Sequence, residues 1–163
     1  MTNQPFPAVD ITGQWGRLND SIVALVDYIP DDKLEWSPRE DLWNFRGILV
    51  HTAMTRHGWL GSAVKDGGPS MDEPGAVGEF IRRAQSKEEI KRELVQSWER
   101  VERWLAKDGN LATVYVGSRD GQEYSYSGHW IAFHLLEHDI HHRSDIFHYL
   151  ALLNIEHPEV GTP

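Results

Sequence analysis

The sequence predicts an all-α protein folded as a four-helix bundle, with a short hairpin or ordered loop between the third and fourth helices. Apolar residues recur at intervals of three and four along four segments, as on one face of an amphipathic helix. Helix-capping and helix-breaking residues separate these segments, and the connections are short enough for antiparallel neighbours. The length of 163 residues suits one core, so we expect a single domain over residues 1–163 with its core at about 11–153.

The first helix is predicted from Ile11 to Ile29. Its apolar stripe consists of Ile11, Trp15, Leu18, Ile22, Leu25 and Ile29. Pro30 ends the helix, because proline cannot continue the hydrogen-bonded backbone. The second helix is predicted from Leu42 to Val64, where a broader apolar pattern indicates neighbours on more than one side. The glycine- and proline-rich stretch at residues 65–78 is typical of a loop.

The third helix begins after Ser86, which is expected to form a capping box with Glu89, and Gly109 is its predicted C-terminal cap. Its apolar stripe consists of Ile90, Leu94, Trp98, Val101 and Leu105. Two β-prone runs around a polar turn follow, in TVYVGSRDGQEYSYS. They predict the hairpin or ordered loop, packed against one end of the helices because an isolated hairpin is only marginally stable. The fourth helix is predicted at residues 128–153.

The composition excludes several classes of function. The chain has no cysteine, so a transition-metal site would have to use histidine and carboxylate. Acidic residues outnumber basic ones by 25 to 16, a formal net charge of −9, so we expect no nucleic-acid partner. No apolar run reaches the ~18 residues of a membrane helix, and the N-terminal residues carry no export signal. We therefore expect no membrane partner and a cytoplasmic location.

Two histidines interrupt the apolar stripe of the fourth helix. His138 and His142 stand one turn apart in HLLEHDIHHRSDIFHYL, so their side chains leave the helix side by side. Two imidazoles at this spacing can bind one metal ion, as in helical zinc motifs. Hydrogen-bonded core histidines are the alternative, and the spacing alone does not decide between the two.

A third ligand would come from another helix, and His51 is the best candidate. Gly47 and Gly58 lie on the same helical face, although a glycine inside a helix costs ~1 kcal/mol relative to alanine. These glycines indicate that space beside His51 matters, either for close helix packing or for a ligand. Three protein nitrogens would leave a coordination position for water or a thiolate, as in catalytic metal sites.

Three further residues of the fourth helix are candidates for supporting the site or binding a substrate. Asp145 could accept a hydrogen bond from the second nitrogen of a ligand histidine. His134 could line the same cavity or be a polar residue near the end of the bundle. Arg143 could hold an anionic substrate or form a surface salt bridge. No catalytic residue can be assigned, and His57 has no evident partner in the sequence.

Other enzyme motifs are absent. The chain contains neither the Glu-x-x-His of ferritin-like di-iron bundles nor the His-Glu-x-x-His of zinc proteases. It also lacks a glycine-rich phosphate loop and a Gly-x-Ser-x-Gly nucleophile elbow.

Two segments carry a family resemblance: IPDDKLEWSPREDLWNFRGILVHTAMTRHGWL and the later HLLEHDIHHRSDI. They contain a proline-bearing turn, a helix with a histidine followed by a tryptophan, and a late helix with His-x-x-x-His-Arg. The residues concerned are Pro30, Trp36, Pro38, His51, Trp59, His138, His142 and Arg143. In this pattern the chain resembles the DinB/YfiT-like superfamily of metalloenzymes.

The resemblance implies a four-helix bundle with a metal site on His51, His138 and His142, the positions that helical spacing also selects. It implies a divalent metal ion, zinc, nickel or iron, and a homodimer. The better-understood relatives are thiol-dependent transferases or isomerases that use bacillithiol, mycothiol or glutathione. The family often continues His-Arg-Gly-Gln, whereas this chain has Ser144 and Asp145 after the arginine, which changes the charge beside the site.

The leading hypothesis is therefore a divalent-metal-dependent enzyme that activates a thiol or water for attack on a small electrophile, such as an S-transferase or isomerase using a low-molecular-weight thiol. The alternative is a non-catalytic, metal-containing helical bundle that binds a small molecule or serves as a dimeric scaffold.

Overall fold

The computed structural model describes residues 10–119 and 121–157. These residues are mostly helical and carry one two-stranded sheet. The elements in chain order are α1 (Ile11–Tyr28), α2 (Phe45–Gly58), α3 (Ala76–Arg83), α4 (Lys87–Leu105), β1 (Val114–Arg119), β2 (Gln122–Ser127) and α5 (Gly128–Leu152). A 3₁₀ turn at Asp31–Lys33 follows α1, and a π-helical turn at Trp59–Val64 continues α2.

The predicted first helix agrees with α1 to within one residue. Asp10 caps its N-terminus, because the carboxylate accepts a hydrogen bond of 2.8 Å from the backbone N–H of Gly13. The backbone is extended at Ile29, and Pro30 follows it. Local sequence signals therefore determine both ends of α1.

The predicted start of the second helix at Leu42 is wrong. Asn44 is the N-terminal cap, and its side-chain oxygen accepts a hydrogen bond of 2.7 Å from the N–H of Gly47, so α2 begins at Phe45. Leu42 and Trp43 precede the helix and are exposed. At its other end the π-helical turn closes at Lys65, which adopts a left-handed conformation with φ 56°.

A fifth helix, α3, lies partly within the stretch predicted to be a loop. It begins at Ala76, whereas the sequence predicts a loop up to residue 78. Phe80 is the buried residue of α3 and is 1% exposed. The glycines and prolines before it mask this amphipathic segment, because they dominate the local composition.

The capping box of α4 is confirmed. The Ser86 side chain accepts a hydrogen bond from the N–H of Glu89, and the Glu89 carboxylate accepts one of 2.9 Å from the N–H of Ser86. The predicted C-terminal cap at Gly109 is wrong, because α4 already ends at Leu105 with Ala106 as its cap. Gly109 lies in the following turn, with φ 83°.

A hairpin is present at the predicted position. β1 and β2 pair antiparallel from Val114 opposite Ser127 to Arg119 opposite Gln122. The Tyr124 hydroxyl of β2 donates a hydrogen bond of 3.3 Å to the carbonyl of Ser62 in the π-helical turn. This contact attaches the sheet to the end of the helices, as its marginal stability in isolation requires.

The four long helices surround a common apolar core. α1 and α2 each pack against both α4 and α5, and the core residues of all four helices are almost completely buried. The prediction of an all-α four-helix bundle with a possible short hairpin is thus confirmed in part: the described chain is mostly helical and carries the hairpin as a two-stranded sheet, but it also contains the short helix α3. Among the described residues, no helix has the length and apolar character needed to cross a membrane.

Candidate metal centre

Three histidines from two helices converge in the structure. His51 lies on α2, and His138 and His142 lie one turn apart on α5. The Nε2 atoms of His51 and His138 are 2.9 Å apart, and one nitrogen from each of the three rings lies within 4.8 Å of the others. These three side chains could hold one metal ion.

Burial favours the neutral form of all three imidazoles. Burial, with a smaller contribution from His142, lowers the pKa of His51 from 6.5 to about 4. Burial and the neighbouring histidines lower the pKa of His138 to about 3. Burial also lowers the pKa of His142, although the Asp145 carboxylate opposes that shift. Neutral imidazoles are the form that binds metal ions, so these ligands need lose no proton at neutral pH.

The geometry and the donor chemistry fit a divalent metal ion. Two imidazole nitrogens bound tetrahedrally to one zinc at ~2.0–2.1 Å are separated by roughly 3.3 Å, somewhat more than the 2.9 Å between the His51 and His138 nitrogens. The Nδ1 atom of His138 is buried and has no hydrogen-bond partner among the described residues. Of the two ring nitrogens of His138, Nε2 thus faces His51 and Nδ1 lacks a hydrogen-bond partner among the described residues.

Asp145 contacts the outer side of the cluster. Its Oδ2 is 3.0 Å from Nδ1 of His142 and 3.5 Å from Nε2 of the exposed His141. A neutral His142 that donates its Nδ1 proton to this carboxylate presents Nε2 as the free ligand atom. His141, His142 and Asp145 also form a second, more exposed group that could hold a metal ion.

His134 and Arg143 do not join the three histidines. The His134 ring stacks on Trp130, with centroids 5.0 Å apart and planes at 11°, and its centroid is 6.3 Å from that of His138. The Arg143 guanidinium carbon lies 5.9 Å from the centroid of Phe147. His134 therefore lies at the edge of the cluster within an aromatic group, and Arg143 packs against another ring.

Trp43 is a site residue that the sequence did not indicate. Its ring centroid is 4.3 Å from that of His51, edge to face, and 5.9 Å from that of His142, nearly parallel. The side chain is 50% exposed, so it covers the cluster from the solvent side. The sequence around Trp43 does not predict these contacts, because they depend on the path of the loop that precedes α2 and on its position relative to α5.

A buried ion pair lies behind the histidines, and the sequence did not indicate it either. The side chains of Arg56 and Asp139 are fully buried, and their closest atoms are 2.9 Å apart. Asp139 also accepts a hydrogen bond of 2.6 Å from the Trp15 indole, while Arg56 donates to Asn19 of α1 and to Leu94 and Ser97 of α4. This network joins all four long helices beside His138.

His57, for which the sequence gave no partner, is buried in a second polar cluster. Its Nδ1 is 3.0 Å from Nη1 of Arg100, and its Nε2 is 4.0 Å from the Glu93 carboxylate. Arg100 in turn forms a close ion pair with Asp66. His57 therefore belongs to the core and lies apart from the three converging histidines.

The two glycines near His51 provide space for both packing and a cavity. A Cβ at Gly47 would lie 3.0 Å from the capping oxygen of Asn44 and 3.6 Å from Cβ of Trp43. A Cβ at Gly58 would lie 3.4 Å from Cγ of Met71. Gly58 and His51 also line a cavity of about 690 Å³ between α2, the π-helical turn and β2.

Comparisons with known proteins agree with this architecture. The model of the DinB superfamily matches residues 14–146, a range that contains all three converging histidines. The crystal structure of a protein assigned to the DinB family from Exiguobacterium sibiricum 255-15 has a similar fold, with a TM-score of 0.68 over 93% of this chain and 97% of that one. At 20% sequence identity, this likeness concerns the fold alone. No curated protein sequence matches significantly. Because the family model covers most of the chain, the protein belongs to the DinB superfamily.

Proposed function

We propose that this protein is a divalent-metal-dependent enzyme that transfers a low-molecular-weight thiol to a small electrophile, or isomerises such an adduct. Zinc, nickel or iron would bind to His51, His138 and His142. The observation that carries the proposal is the convergence of three histidines, whose possible ligand atoms lie within 4.8 Å of one another, beside a cavity of about 690 Å³.

The protein groups have separate roles in this proposal. The three histidines hold the ion and leave a coordination position for an exogenous ligand, since three protein ligands are typical of catalytic sites. Asp145 orients His142 by accepting its Nδ1 proton. The cavity beside His51 accommodates the substrate. When bound, a divalent metal at such a site lowers the pKa of a coordinated thiol or water and so supplies a nucleophile near neutral pH.

Metal content is the first test. We would purify the protein without a histidine tag, measure metal by plasma mass spectrometry, and compare His138→Ala with His148→Ala, which changes an exposed residue of the same helix. We expect about one ion per chain in the wild type and in His148→Ala, and a loss of at least tenfold in His138→Ala. Equal metal content in all three proteins would refute the assignment.

Turnover is the second test, because a shared fold does not establish an activity. Metal-loaded protein would be assayed with bacillithiol, mycothiol, glutathione and cysteine against a panel of small electrophiles. Metal-dependent product formation that His138→Ala lacks would support the enzyme. Strong thermal stabilisation by metal, without turnover of any pair, would instead favour a non-catalytic metal-containing bundle that binds a small molecule or forms a dimeric scaffold.

A further inference from the structure

The cavity beside His51 has the size and position of a substrate site. Its volume of about 690 Å³ lies within the ~300–1,000 Å³ typical of small-molecule sites. His51 belongs both to its wall and to the three converging histidines. A ligand that reaches the metal through its reactive atom would therefore extend the rest of its body into this cavity.

Aromatic rings and thioethers form much of the wall. Trp59 and Tyr126 meet edge to face with centroids 5.3 Å apart, and Tyr126 stacks on Tyr124 at 5.4 Å. Met54 and Met71 complete this part of the surface. Because the hydroxyl of Tyr124 is bonded to the π-helical turn, the rings are held in place and offer a pre-formed surface to an aromatic or aliphatic group.

The charges around the cavity have one sign. Asp72 and Glu123 are the charged side chains among the described residues that line it, and no lysine or arginine does so. Neither carboxylate forms an ion pair with a described residue. Carboxylates that line the same cavity as aromatic rings attract cations and repel anions, so this region should discriminate by charge.

We propose that the cavity binds a molecule with an aromatic or apolar body that is uncharged or cationic in the part remote from the metal, and that Asp72 and Glu123 disfavour a carboxylate or phosphate there. This inference deepens the proposed function and, as a statement about a substrate, rests on it. It favours an amine or a neutral electrophile over a polyanionic one as the group that occupies the cavity.

Three matched probes test the charge preference. 4-Phenylbutylamine, 4-phenylbutanol and 4-phenylbutyrate share a ring and chain length and are cationic, neutral and anionic near pH 7. Dissociation constants would be measured by calorimetry with His138→Ala, so that a metal ion does not recruit the probe. We expect the amine to bind at least tenfold more tightly than the carboxylate, with the alcohol between them.

Two double variants assign the preference to the cavity. Asp72→Asn/Glu123→Gln removes two exposed charges that form no ion pair with a described side chain, so the fold should persist and the preference for the amine should fall below threefold. Asp20→Asn/Glu102→Gln makes the same change of net charge elsewhere on the surface and should retain the preference for the amine over the carboxylate. Equal or tighter binding of the carboxylate, binding of none of the probes, or an equal loss in both double variants would overturn the proposal.

The result is independent of the metal experiment. Amine binding to His138→Ala, together with a wild type that holds no metal, would support the cavity and refute the metal-dependent function. A metal-loaded, active wild type whose variant binds no probe would support the function and refute this inference.

Discussion

Asp139→Asn should be among the most destabilising single substitutions in this protein. The change keeps the shape of the side chain but removes the negative charge that Arg56 faces in the core. Both side chains are 0% exposed, and Asp139 accepts hydrogen bonds from the Trp15 indole and from Nε and Nη2 of Arg56. The asparagine amide would turn a donor towards groups that are themselves donors.

The expected magnitude follows from this burial. Breaking a buried ion pair by removing one partner costs about 3–5 kcal/mol, because the remaining charge is left without compensation. For a chain of this size each kcal/mol corresponds to about 2–4 °C in melting temperature, so we expect a decrease of roughly 6–20 °C. Arg56→Met would leave the Asp139 carboxylate without its partner, so it should lower the free energy of unfolding by a comparable amount.

Urea unfolding followed by circular dichroism would measure the decrease in the free energy of unfolding. The matched control is Asp41→Asn, which breaks the Arg39–Asp41 pair, whose two side chains are each 67% exposed, and should leave the midpoint unchanged. The double variant of Arg56 and Asp139 should lose less than the sum of the single variants, since both remove one interaction. Equal stability of Asp139→Asn and Asp41→Asn would refute the reasoning.

Three further predictions concern the histidines. First, metal-free protein should lose stability below pH 6.5. Burial and the cations of Arg100, Arg83 and Arg56 hold the pKa of His57 at about 4. Between about pH 6.5 and 4 the unfolded chain therefore binds a proton at His57 that the folded chain does not bind, which favours unfolding. Between pH 6.5 and 5 this amounts to about 1.6 kcal/mol, and His57→Gln, compared by urea unfolding, should lose that much less over the same interval. Second, titration with Ni²⁺ should quench tryptophan emission, and Trp43→Phe should remove most of the quenching at unchanged metal content; equal quenching in both proteins would contradict the contact of Trp43 with the site. Third, Asp145→Asn should weaken metal binding about 10–100-fold in chelator competition, whereas Ser144→Ala, a change at the adjacent exposed position, should not.

Local signals explain which parts of the fold the sequence predicts. The stripe of α1, the Ser86–Glu89 capping box and the spacing of His138 and His142 each depend on residues of one continuous segment, and such patterns are visible in one sequence. The predicted start of α2 at Leu42 is wrong although the true signal is also local. Asn44 caps the helix, but the apolar pair before it resembles a first helical turn.

The missing features depend on contacts between distant residues. Arg56 and Asp139 are 83 positions apart, and neither differs in the sequence from an ordinary charged surface residue. The partner of His57 is equally hard to predict from the sequence, since Arg100 lies on α4. The position of Trp43 over His51 and His142 likewise depends on a loop path. Pairings across helices are fixed by tertiary packing, which periodicity does not encode.

The adjacency of His138 and Asp139 on α5 has a kinetic consequence. One side chain belongs to the converging histidines, and the next is held in the core by Arg56 and Trp15. Any slide or rotation of α5 that displaced the imidazole would also expose or break the ion pair. The core thus supports the positions of the three histidines. At the proposed metal site, one metal should therefore exchange for another in the folded protein, without a refolding step.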